Sequence, residues 1–185
     1  ARASGKITGE ITPAYAALSD QRWDQIHALF PDLRLIFVMR DPVVRTWSAL
    51  RNSMKKSRID PSASVDALVE YASKSSIAAR SDYLRSIRMV ESRFGAQQLH
   101  CCFFEQLIAE PTVFADSMFR FLGVNSLGED LAVPAAVNSA AGGDEPPLAL
   151  QRALAKEYLP MTDQLADRFG GIPREWATKY RKLLG

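Results

Sequence analysis

Most hydrophobic positions in this chain recur at helical spacing, and two short blocks do not. After Ser19, an N-cap residue type, Trp23, Ile26 and Phe30 fall three to four residues apart, and Pro31 closes the run. Val65, Leu68, Val69 and Ala72 make a second helical face. Tyr83, Ile87, Val90 and Phe94 make a third, which Gly95 ends. Pro111 opens a helix carrying Phe114, Met118 and Phe121, with Gly123 at its close. The spacing also predicts a helix over Leu150 to Phe169, broken near Pro160, and an amphipathic one from Pro173 to Leu184. Residues 1–9 and 125–147 read as a frayed end and a long loop, the latter holding the flexible turn Gly142-Gly143-Asp144.

The two exceptions are Leu33 to Met39 and Leu99 to Phe104, short apolar blocks rich in Leu, Ile, Phe and Val or Cys. Bounded by Pro31 and Pro42, the first reads as a strand buried on both faces, as in a parallel sheet. Asp41 is placed to cap the following helix, with Pro42 at its first position, and that helix is expected to run to about Lys56. Alternation of helices with buried strands gives an α/β class: a parallel sheet flanked by helices, with a helix-rich C-terminal part. Two strands are few for so many helices, so the sheet is expected to want further strands.

Composition narrows the options. The chain has 185 residues, 47% of them hydrophobic and 24% charged, the range of one globular domain spanning residues 1–185. A net charge of +2 gives no overall field for nucleic acid or an anionic membrane, so an anionic ligand must be held by local residues. No apolar stretch is long enough to span a bilayer. Cys101 and Cys102, adjacent and on opposite strand faces, cannot staple distant segments and have no metal spacing; they suggest a reduced, cytoplasmic setting, and no metal site is expected.

Chemistry concentrates in Leu35-Ile36-Phe37-Val38-Met39-Arg40-Asp41-Pro42-Val43-Val44-Arg45-Thr46-Trp47-Ser48. Arg40 stands where the strand ends, the edge at which open α/β sheets bind ligands. Ser48 lies about two helical turns past Pro42. A guanidinium and a hydroxyl meeting there would serve one tetrahedral oxyanion; the alternative is an Arg paired with a nearby carboxylate and a Ser facing its own turn. The second candidate stretch is Gly9-Glu10-Ile11-Thr12-Pro13-Ala14-Tyr15, a carboxylate in a Pro-containing turn. Taken bare, most such residues are solvated.

Arg-Asp-Pro-x-x-Arg-x-x-Ser after an apolar strand resembles the 3′-phosphate motif of sulfotransferases that use 3′-phosphoadenosine 5′-phosphosulfate (PAPS), and most of all the bacterial relatives of the heparan sulfate enzymes. The resemblance covers residues 7–124 and implies a P-loop-type α/β fold, with Arg40 and Ser48 on the donor's 3′-phosphate. The heparan sulfate 3-O-sulfotransferases carry Glu-Lys-Thr-Pro-x-Tyr at the matching distance upstream, and their Glu is the general base, which implies that role for Glu10. Ile11 replaces the lysine of that pattern, so substrate handling need not be the same. Arg80-Ser81-x-Tyr83, Phe103-Phe104-Glu105-Gln106-Leu107, Pro111 and Phe121-Leu122-Gly123 follow the family's order, and Glu105 reads as structural. Arg45 matches the second motif Arg without an expected ligand contact, Arg152 is the sole, weak basic candidate beyond residue 124, and His27 and His100 read as packing or surface residues.

The resemblance also implies a Gly-rich donor loop before the base. The chain opens at Ala1 and reaches Glu10 without one, so the domain is expected to be incomplete at its N-terminus. The functional expectation is transfer of a sulfuryl group from PAPS to a hydroxyl or amine, carbohydrate acceptors included. The alternatives are a non-catalytic module that binds the product nucleotide PAP, and a nucleotide kinase, for which the Gly-x-x-x-x-Gly-Lys-Ser/Thr loop is missing. Acceptor identity and oligomeric state are not written in the sequence.

Overall fold

The computed structural model describes residues 7–74, 76–125 and 145–185. Residues 142–144, where the sequence places a flexible turn, lie outside them, as does the start of the chain through residue 6.

Helix α1 (Asp20–Leu29) begins at Ser19, whose hydroxyl accepts the Arg22 N–H. It buries Trp23 against Met89, Val90 and Phe94 of α5 (Tyr83–Phe94). Strand β1 (Leu35–Met39) leads into α2 (Pro42–Lys55). Helices α3 (Val65–Lys74), α4 (Ser76–Ser81) and α5 cross to β2 (Leu99–Phe103), which pairs parallel with β1 in the register Leu35 opposite Leu99 to Met39 opposite Phe103. Helices α6 (Phe104–Ala109) and α7 (Pro111–Leu122) follow β2, and Gly123 closes α7 in the left-handed conformation at φ 71°. Two long helices, α8 (Leu148–Phe169) and α9 (Gly171–Leu184), complete the described chain.

The α/β reading with a parallel sheet and a helix-rich C-terminal part holds. Three local expectations do not. Val38 is 44% exposed, so β1 is not buried on both faces: within the described residues the sheet has two strands and β1 is only partly covered. Helix α8 runs unbroken through Pro160, because proline sits on the exposed side, where the carbonyl that it strands can turn to water, while Tyr158 and Thr162 anchor the buried side. The six-residue helices α4 and α6 were not expected; they are too short to show a period.

The main core lies between α2, the α3–α5 crossover and the α8–α9 pair. Met39, Leu50, Ile87, Leu150, Leu154, Leu165 and Tyr180 are fully buried there. Each such side chain stabilises by about 1.5–3 kcal/mol relative to exposure. This core clamps the carboxyl end of β1 and the first turn of α2, and so fixes the candidate site.

Candidate functional site

The loop between β1 and α2 is a single tight corner. Asp41, 6% exposed, caps α2: its Oδ1 accepts the N–H groups of Val43 (2.9 Å) and Val44 (3.2 Å). The same oxygen accepts the Tyr180 hydroxyl at 2.6 Å, and Oδ2 pairs with Lys179 Nζ at 3.1 Å. Burial, with the Asp41 carboxylate beside it, pushes the Tyr180 hydroxyl up, so it remains a donor. From the other side, Glu105 Oε1 at the start of α6 accepts the Asp41 N–H (3.0 Å) and Trp176 Nε1–H (3.2 Å). Its Oε2 is buried without a hydrogen-bond partner, and burial raises its pKa. Glu105 is therefore a brace across the sheet edge, in line with its structural reading.

Arg40 is held next to this corner. Its carbonyl accepts the buried Tyr83 hydroxyl at 2.8 Å, and its guanidinium lies over the Phe104 ring, 4.7 Å from the centroid. One turn into α2, Thr46 is fully buried and shares a 2.8 Å hydrogen bond with Tyr158. That contact pins one side of the helix and turns Ser48 outward.

Arg40 and Ser48 line one open cleft of about 430 Å³, together with Arg45, Ala49, Arg51, Asn52 and Lys55. No carboxylate lines it, and within the described residues none of its four cations has an acidic partner. Arg45 is committed elsewhere: its Nη1 donates to Ser81 Oγ (2.7 Å) and to the Ile77 carbonyl (3.3 Å), and burial lowers its pKa. Arg51, Asn52 and Lys55 were not singled out in the sequence, although their spacing of three, four and seven residues from Ser48 marks them as one helix face. A larger groove of about 780 Å³ runs along α9 past Arg174, Glu175, Lys179 and Lys182; it mixes both signs of charge and contains neither Arg40 nor Ser48.

Glu10 does not line the cation-rich cleft. It is exposed, and its Oε1 accepts the Thr12 hydroxyl at 3.0 Å and a short hydrogen bond from Tyr15. The Tyr15 and Thr12 hydroxyls hold its carboxyl below the usual carboxylate range. Arg152 is exposed on α8. His27 packs edge-on against Phe94 (4.9 Å), and His100 stacks on Phe121 and bonds to Ser117 Oγ. Burial pushes Cys101 up to about 12 and Cys102 to about 11, so neither is a thiolate near neutrality. Among the described residues no group of His, Cys, Asp and Glu is arranged to hold a metal ion, and no helix is long and apolar enough to cross a membrane.

These features define an α/β domain with a cation-lined cleft at the carboxyl end of a parallel strand. The comparisons with known proteins agree with that class. The sulfotransferase family model matches residues 17–127, and the chain belongs to this family. In fold it is similar to the crystal structure of a sulfotransferase from Alicyclobacillus acidocaldarius, with a TM-score of 0.62 at 20% identity. That likeness covers 89% of this chain and 62% of the other, so the chain spans under two thirds of that structure's length. No curated protein matches the chain. Arg40 and Ser48 fall within the family match; Glu10 and the α8–α9 pair fall outside it.

Proposed function

We propose that this chain is the 3′-phosphate-anchoring part of a PAPS-dependent sulfotransferase. In this reading Arg40 and Ser48 hold the 3′-phosphate of the donor, and Glu10 is the general base. The observation that carries it is that Arg40 and Ser48 both line one cleft, together with three further cations and no acid. Charge-assisted hydrogen bonds to a phosphate are the strong kind, and a carboxylate-free wall keeps the arginine available for them.

The reaction is an in-line displacement. The acceptor's oxygen or nitrogen lone pair forms a bond to sulfur while the bond from sulfur to the bridging 5′-phosphate oxygen breaks. PAP leaves with that electron pair, and the acceptor proton passes to the Glu10 carboxylate. The lowered pKa keeps Glu10 ionised, hence able to accept a proton, across the neutral range. Acceptors are hydroxyls or amines of small molecules, carbohydrates included. This last point, and the likeness to the heparan sulfate enzymes, rests on the Arg40–Ser48 and Glu10–Tyr15 motifs.

Calorimetric titration with PAP tests the donor assignment. Wild type is expected to bind in the micromolar range, and Arg40→Ala to bind at least tenfold more weakly, since hydrogen bonds to charged groups contribute about 1.5–3 kcal/mol. The Arg40 side chain makes no described hydrogen bond within the protein, so its removal is expected to cost the fold only the Phe104 contact. Equal binding by the variant would remove the assignment. One observation favours a second reading, a module that binds PAP without transfer: Glu10 lies outside the cleft. PAP binding with no sulfuryl transfer to any hydroxyl or amine acceptor would select it.

A further inference from the structure

The cleft holds more positive charge than one phosphate uses. A phosphate monoester carries about −1.5 to −2 near neutrality. Arg40, Arg45, Arg51 and Lys55 line the cleft with four cations, and no carboxylate offsets them. Left bare, such a cluster is self-repulsive; an anionic ligand relieves it. Ser48, Arg51, Asn52 and Lys55 stand at i, i+3, i+4 and i+7, a ridge of about 10 Å at 1.5 Å per residue. The ridge continues the cleft away from Arg40 along α2.

Arg51 is the informative member. Its guanidinium lies near the Trp47 ring, 5.9 Å from the centroid, a contact that orients the group. Its Nε is buried and has no hydrogen-bond partner, and the guanidinium makes no described hydrogen bond or ion pair. Lys55 is exposed and likewise makes no described ion pair. Asn52, also exposed, adds a neutral amide donor between them. A guanidinium, an amide and an ammonium at this spacing are the donors that a second tetrahedral oxyanion needs.

We propose that Arg51, Asn52 and Lys55 form a second anion subsite, which takes a phosphate- or sulfate-class group at the same time as Arg40 and Ser48 hold theirs. The simultaneous occupancy rests on the donor reading given above; the subsite's own chemistry does not. The ligand class is thus a sulfated or phosphorylated molecule, or a free inorganic oxyanion of the same chemistry.

The test is titration of PAP-saturated protein with inorganic sulfate, with a sulfated disaccharide and with its unsulfated counterpart, in wild type and in the double variant Arg51→Gln/Lys55→Gln. Lys55 is exposed and Arg51 half-buried on α2, and circular dichroism checks that the variant is folded. Wild type is expected to bind the sulfated probes but not the unsulfated sugar. The double variant should lose at least tenfold in that binding, a larger loss than its loss of PAP affinity. Tighter binding of the sulfated disaccharide than of inorganic sulfate assigns the subsite to a sulfated substrate; equal binding assigns it to a free ion, and both support it. Unchanged oxyanion binding in the double variant overturns the subsite, as does one-for-one competition between sulfate and PAP. If wild type fails to bind PAP yet binds sulfate through Arg51 and Lys55, the donor reading falls and the subsite stands.

Discussion

The corner around Asp41 and the segment around Glu10 each carry proposed chemistry, and they are held by opposite means. Asp41 is buried and takes partners from α2, α6 and α9, the last nearly 140 residues further along the chain. Arg40 is fixed by Tyr83 from a fourth element, α5. Glu10, by contrast, is exposed and among the described residues bonds only to Thr12 and Tyr15, within five residues; the 3₁₀ turn Pro13–Ala17 beside it buries no residue. An anion anchor has to be in place before its ligand arrives, so it is built from contacts that the whole fold enforces. A carboxylate positioned by its own turn keeps its local geometry even where few other elements touch it. Changes at the corner should therefore act on stability and binding together, and changes around Glu10 should leave stability alone.

The largest effect is expected from Asp41→Ala. It removes the α2 cap, worth about 0.5–2 kcal/mol. It also leaves the buried Tyr180 hydroxyl without its acceptor, a further cost of about 1–3 kcal/mol. A loss of about 3 kcal/mol in urea denaturation, with PAP binding lost in parallel, is the expected result. A loss under about 1 kcal/mol would mean that the corner is no better anchored than the Glu10 segment. Tyr180→Phe should cost less, about 1.5–3 kcal/mol, because the cap survives and one hydrogen bond to a charged group disappears. PAP binding should weaken more than twofold in the folded variant if α9 positions Arg40 through Asp41. Unchanged PAP binding would confine Tyr180 to a structural role.

Glu105→Gln separates the charge of the brace from its shape. Glutamine keeps an oxygen for the Asp41 and Trp176 N–H groups and removes a buried carboxylate oxygen that has no partner. The sign follows from the raised pKa. The folded state binds the Glu105 proton more tightly than the unfolded chain does, so this group's contribution is most favourable below its unfolded pKa and declines as pH rises through the folded one. The variant lacks that decline. Thermal melts should favour Glu105→Gln over wild type more at pH 8 than at a pH below the ordinary carboxylate value, and a pH-independent difference would show that the carboxyl ionises alike in both states.

Much of the corner could be read in the sequence, and the reason is local. A strand ending at Arg40, an Asp-Pro helix start and a helical period to Ser48 all involve neighbours, so these elements followed from spacing; spacing left open whether Arg40 and Ser48 share a site, and the structure adds that both line one cleft. The same period reaches Arg51 and Lys55, a signal present and not used. Tyr83, Tyr158, Lys179 and Tyr180 carried no such signal: each meets the corner or α2 from 43 to 139 residues away, which only the packed fold decides. The unbroken α8 has a similar origin. Pro160 reads as a breaker by itself, and the helix continues because its neighbours Tyr158 and Thr162 are held in the core. For Glu10 the sequence offered only a motif, and the structure adds its two hydroxyl partners without adding burial.

The smallest expected effect is the sharpest test of the Glu10 side. Tyr15→Phe removes the larger of the two influences that hold the Glu10 carboxyl below its ordinary value, and leaves the Thr12 hydroxyl in place. The Glu10 pKa should therefore rise toward 4.5 in an NMR titration of the side-chain carboxyl, with no change in melting temperature, because neither residue is buried in the core. Where transfer can be assayed, the acid limb of kcat/KM should move upward in the same direction, since that profile reports the free enzyme's base. A titration identical to wild type would mean that the Tyr15–Glu10 hydrogen bond does not persist in water. A drop in melting temperature would mean that the segment is built into the fold after all, and the contrast with the Asp41 corner would fail on the side where it is most exposed to test.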